Sequence, residues 1–142
     1  MHTIFRFSAG IAAAAMLAAC ALFQPPADLD LRLARPSQHG MYAVTLRPLV
    51  DAPAINSIHA WEIGITTRDG KPVDDARIAF SGGMPQHGHG YPTRPRVTGQ
   101  VGPGRYRLDG VKFSMSGWWE MKLDVQSAHG TDQVVFNTVV AK

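Results

Sequence analysis

Apolar residues recur at every second position along most of this chain, and that spacing predicts strands. In "DLDLRLAR" (28–35), Leu29, Leu31 and Leu33 alternate with charged residues. "GMYAVTLRP" places Tyr42, Val44 and Leu46 on one face, and "SIHAWEIGITT" does the same for His59, Trp61, Ile63 and Ile65. "DARIAFSGG" reads as a fourth strand after a turn at Asp69-Gly70. "RPRVTGQV" and "GRYRLDGVKF" flank a tight "GPG" connection. "SGWWEMKLDVQ", a "SAHGTD" turn and "QVVFNTVVAK" complete the chain. Short strands separated by Gly, Pro and Asp-Gly turns, with no convincing helix beyond the N-terminus, predict an all-β sandwich or barrel of about seven to eight strands. The inward set should be Val44, Leu46, Trp61, Ile63, Ile78, Phe80, Tyr106, Leu108, Leu123, Val125, Val135 and Val139.

The N-terminus breaks this pattern. "MHTIFRF" carries one positive charge, Arg6, and "AGIAAAAMLAA" is too short and too rich in small residues for a spanning helix. It ends in "LAAC", residues 17–20, which has the form of a bacterial lipobox, and Cys20 is the single cysteine. The expected organisation is a signal peptide at 1–19, a lipidated tether at 20–27 and one domain at 28–142. An ordinary signal peptide cut near Ala19, with an unmodified Cys20, is the rival reading. Within one chain Cys20 can form no disulfide. The residue after it, Ala21, is not the acid associated with inner-membrane retention, so an outer-membrane anchor facing the periplasm is expected. No other apolar run is long enough to cross a bilayer.

Charge changes the picture little. The formal charge is +3, from 14 basic and 11 acidic residues. Those charges are dispersed, with no basic stripe of the kind nucleic-acid binding needs.

Candidate chemistry concentrates in "GGMPQHGHGYPTRP", residues 82–95. Met84 offers a soft sulfur, His87 and His89 offer borderline nitrogens, and no Asp or Glu lies between Asp75 and Asp109. Sulfur with imidazole suits copper, above all Cu(I), whereas Ca²⁺ and Mg²⁺ want oxygen and zinc usually wants four good ligands. Gly88 and Gly90 permit sharp turning, and Pro85 and Pro92 stiffen the approach. Loops of a sandwich meet at its ends, which makes Met115 in "FSMSGWWEM" the candidate second sulfur donor. Trp118 and Trp119 must face opposite ways in a strand. One should anchor the core and the other should cover the loop.

A plainer assignment fits the same residues. Histidines in Gly-rich loops are often only solvated, and Met84 and Met115 can both be gap-filling core residues. His59, among apolar neighbours, reads as a buried, hydrogen-bonded histidine. His39 and His129 sit beside glycines in turns. No catalytic set is visible: Ser81, Ser114 and Ser116 lack a Ser–His–acid context, and Asp74-Asp75 reads as a solvated turn. The chain is therefore not expected to be an enzyme.

Residues 82–98, 104–120 and the closing "DQVVFNTVV" resemble the YtkA-like group of small exported domains, which is related in outline to FixH proteins. The Met-Pro-x-His-Gly-His-Gly string is the most specific part of the resemblance, which runs from about Asp28 to the C-terminus. It implies an immunoglobulin-like β-sandwich, and metal handling in settings linked to copper or respiratory oxidase assembly. Carried over by position, the pattern marks Met84, His87, His89 and Met115. Unlike FixH, this chain has no second hydrophobic segment. The expectation is a lipid-anchored copper-binding protein. Its rivals are a non-catalytic module that docks a periplasmic protein, and, more weakly, a carbohydrate-binding domain with an exposed Trp platform.

Overall fold

The computed structural model describes residues 24–141. The predicted signal peptide and Cys20 lie outside them. Nine strands follow in order: β1 Ala34–Pro36, β2 Tyr42–Pro48, β3 Ile58–Thr67, β4 Arg77–Met84, β5 His89–Gly90, β6 Arg96–Gly102, β7 Arg105–Lys112, β8 Gly117–Ser127 and β9 Gly130–Val140. They form two antiparallel sheets, β1-β2-β3-β7-β6 and β5-β4-β8-β9. No helix occurs among the described residues. The all-β sandwich expected from the alternation is present.

The inward faces meet in one apolar core. Val44, Leu46, Trp61, Ile63, Tyr106, Leu108, Leu123 and Val125 are buried as expected, and Ile78 and Phe80 pack partly buried against them. Two expectations fail. Val139 is 44% exposed and Val135 half-buried, while Val134 and Phe136 are buried. Register explains the reversal: β9 pairs Val134 with Leu123 and Phe136 with Met121. Directly opposed residues share a face, so the even-numbered residues of β9 turn inward with the odd-numbered ones of β8. Both phases of "VVFNTVV" are apolar, so the sequence pattern had no means of choosing between them.

The first predicted strand is also corrected. Only 34–36 pair with β2. Upstream, the Asp30 carboxylate accepts from the Arg32 backbone N–H at 3.0 Å and from its guanidinium at 2.9 and 2.8 Å. That local closure competes with an extended ladder, and Leu31 is left 50% exposed. The segment instead covers the free edge of β9. Asn137 Nδ2 donates to the Asp30 carbonyl, Arg35 to the Val135 carbonyl, and the Gln38 N–H to the Gln133 carbonyl. An uncovered edge strand of this length would invite edge-to-edge association.

Asp132 locks the same corner. Its buried carboxylate accepts from the backbone N–H groups of His39, Met41 and Gln133 and from the His39 ring. Burial pushes its pKa up, but hydrogen bonds from Ser37, His39 and Gln133 outweigh that and hold the carboxyl well below its ordinary value.

The register makes a prediction. Phe136→Ala should cost about 3–5 kcal/mol, whereas Val139→Ser should stay within about 0.5 kcal/mol. Urea unfolding of the two variants checks it, and equal losses would contradict the assigned facing of β9.

Candidate functional site

Met84 is not a loop residue. It is the last residue of β4, and it is 2% exposed. Ile78, Phe80, Gly82 and Met84 fall on one face by the period of two. Along that row Ile78 pairs with Val125, Phe80 with Leu123 and Gly82 with Met121. The last pair is Gly83 with Glu120, so one further step sets Met84 beside Trp119. On its other side Met84 pairs with His89 of β5. Trp119, Met84 and His89 therefore form an inward row across three strands, and His89 lies at its open edge.

Gly82 and Gly83 permit this crowding. Their φ values are 135° and 155°. A Cβ on Gly82 would lie 2.1 Å from the Glu120 carbonyl oxygen, and one on Gly83 would lie 2.3 Å from that of His89. The turn that follows is closed by the His87 and Gly88 N–H groups, which both donate to the Met84 carbonyl at 3.1 and 3.0 Å. Gly88 takes the left-handed conformation, φ 66°.

The result is a pair of exposed imidazoles, His87 and His89, with ring centroids 5.8 Å apart and planes tilted by 32°. A metal-bound imidazole nitrogen sits about 2 Å from the ion, and the ring centroid about 1 Å beyond. Two rings at this separation can share one ion once their nitrogens turn toward it. A cleft of about 380 Å³ beside His89 is lined by Ser81, Gly82, Gly83, Met84, Pro85, Gly88, His89, Glu120 and Lys122. Among the described residues no three His, Cys, Asp or Glu side chains gather to hold a metal. A centre here therefore has to draw on methionine sulfur.

The second connection arrives through Trp119. This indole is fully buried, and its Nε1 donates to the Met115 carbonyl at 3.1 Å. Its ring meets His89 edge-on at 6.2 Å, and also Phe113 and Tyr91 at 5.3 and 5.0 Å. Met84 Cε lies 3.2 Å from where a Cβ on Gly117 would stand. The 113–117 connection and the histidine loop thus sit side by side at one end of the sandwich. The Met115 side chain itself is 42% exposed.

The tryptophan pair divides differently from the expectation. Trp118 and Trp119 do face opposite ways, but Trp119 both anchors the core and meets the loop. Trp118 lies on the outer face, where its Nε1 donates to Asn137 Oδ1 at 2.9 Å.

His59 is buried at the same end, next to Phe113 at 5.2 Å and Trp61 at 6.1 Å. The expected hydrogen bond is missing. Among the described residues neither ring nitrogen has a partner apart from a contact with its own backbone, and Trp61 Nε1 is likewise unpaired. Tyr91 continues the aromatic layer, packing on Phe80 at 5.0 Å and donating its hydroxyl to the Glu120 carbonyl at 3.1 Å. Burial raises its pKa.

A family model described as YtkA-like matches residues 34–124, and the chain belongs to this family. No curated protein and no solved structure matches it.

His59 gives this end a pH signature. Burial lowers its folded pKa below the ordinary 6.5. Below that pH the unfolded chain takes up a proton that the folded chain refuses, so stability falls with acidification from about pH 6.5 down to the folded pKa. His59→Leu removes a buried polar ring without a partner. It should leave stability at about pH 7.5 unchanged or higher and flatten its decline down to about pH 5. Urea titrations across that range check it. A variant that declines as steeply as the parent would refute this role for His59.

Proposed function

We propose that this YtkA-like domain is a non-catalytic, lipid-anchored carrier of copper, in the Cu(I) state, exported to the periplasmic side of the cell envelope. His87 and His89 would supply nitrogen, and Met84 and Met115 sulfur. The observation that carries the reading is the meeting of two connections at Trp119, whose ring touches His89 while its N–H holds the Met115 carbonyl. A sulfur and two imidazoles beside a buried aromatic wall suit a soft monovalent ion, which needs no carboxylate to balance its charge. Met84 would contribute from below, through the inward row it shares with His89, and Met115 from the exposed rim. Bound copper would supply only its affinity for soft donors; no chemical step is assigned to it.

A second reading keeps the same surface and drops the metal. Met115 is exposed beside the histidine loop, and Ile58 at the start of β3 is 66% exposed. Exposed apolar side chains at one end of a domain mark a contact surface. On this reading the end is a docking module for another envelope component.

Titrating Cu(I) into the mature protein against a competing chelator separates the two. The His87→Ala/His89→Ala double variant should bind at least about tenfold more weakly, or about 1.4 kcal/mol. Met115→Ala should show a smaller loss. Affinity unchanged in the double variant would rule out the copper reading and leave the docking surface.

A further inference from the structure

We infer that the end of the sandwich bearing Met84, His87, His89 and Met115 faces the lipid bilayer, with its apolar rim resting in the headgroup layer. The inference rests on the lipid anchor proposed for Cys20 and does not depend on metal binding.

The first observation is where the chain begins its described course. Gln86, in the turn between β4 and β5, donates through Nε2 to the Gln24 carbonyl at 2.6 Å. The segment leading to the fold is thus fastened to the histidine loop and not to the opposite end. Cys20 precedes Gln24 by four residues, and a fully extended chain covers at most about 14 Å over that length. An acylated Cys20 in the bilayer would therefore keep Gln24, and the loop bonded to it, within roughly 14 Å of the membrane surface.

The second observation is independent of the tether. Five of the seven large exposed apolar side chains among the described residues lie at this end. Leu49 and Val50 follow the end of β2, Ile58 opens β3, Met115 lies between β7 and β8, and Val139 is next to last in β9. Topology puts these positions together, because β2 ends opposite the start of β3 and β9 ends opposite the start of β8. Asn56 ties the 49–57 loop to the 113–116 connection by donating its N–H to the Phe113 carbonyl. The opposite end is more charged, with Arg68, Asp69, Lys71, Asp74 and Asp75 between β3 and β4, and Val101 near the end of β6 is its one large exposed apolar side chain among the described residues. An apolar rim on one end and a charged turn on the other is the asymmetry of a body that sits upright on an interface.

The occupant argued for is lipid, because the tether is short. A soluble partner of ordinary size could not enter the gap between the loop and a bilayer about 14 Å away.

The test uses the full acylated protein, metal-free, in vesicles of phosphatidylethanolamine and phosphatidylglycerol. Nitroxide labels are placed on Ser57→Cys at the apolar end and on Ala128→Cys in the β8–β9 turn at the other. Collision with oxygen, which concentrates in lipid, is compared with collision with a water-soluble nickel chelate. The oxygen-to-nickel ratio should be several-fold higher at position 57 than at 128. The added substitution Gln86→Ala, which frees the tether, should narrow that difference. Equal ratios in acylated protein overturn the orientation and leave the anchor standing. A mass spectrum without acyl chains on Cys20 overturns the anchor and the orientation together, and neither result bears on copper affinity.

Discussion

Burial of the Trp119 indole is the constraint on which this end of the molecule depends. A buried indole N–H is stabilised by an acceptor, and unlike Trp61 this ring has one, the Met115 carbonyl. That one bond sets the course of the chain between β7 and β8. The faces of the same ring pack on Phe113 and Tyr91 and meet the edge of His89. Core, connection and histidine loop are therefore positioned by one side chain, and none of the three can shift far without unpacking it.

The glycine pair before Met84 is the complementary device. Side chains at 82 and 83 would collide with backbone on β8 and β5, so their absence is what lets three strands converge around Met84. Close packing leaves no slack for a relaxed alternative. The turn beyond is short and doubly bonded to the Met84 carbonyl, which presents His87 in the turn and His89 at the edge of the sheet, both exposed. A pre-formed loop of this kind loses little freedom when it takes a ligand.

Most of the architecture could be read from the chain, and the failures have physical causes. Strands with one apolar phase, such as 42–48 and 105–112, were placed correctly because only one facing buries Val44, Leu46, Tyr106 and Leu108. Strand β9 is ambiguous in facing because Val134, Val135, Phe136 and Val139 fit either phase, and only pairing with β8 decides. Met84 was legible in principle: Ile78 and Phe80 continue to it at a spacing of two. Gly82 and Gly83 looked like the end of the strand, when they are glycines because other backbone lies against them. Asp132 gives no local signal, since apart from Gln133 its hydrogen-bond donors lie about ninety residues away. The apolar neighbours of His59 in sequence predict its burial, but no pattern in the sequence shows that its nitrogens lack partners.

The two methionines at this end now separate in kind. Met84 is sealed beneath the loop and serves the core whatever the loop binds, so a plain packing role suffices for its presence. Met115 has less of that explanation: its carbonyl is held by Trp119 while its side chain is 42% exposed, so its thioether gains only part of the benefit of burial. A partly exposed sulfur and two exposed imidazoles at one end of the sandwich make physical sense as a rim that meets something, whether an ion, a lipid surface or both in turn. Of the four proposed donors, Met115 is thus the one whose position calls for a function outside the fold. The argument for a working surface at this end is stronger than the argument for any single ligand at it.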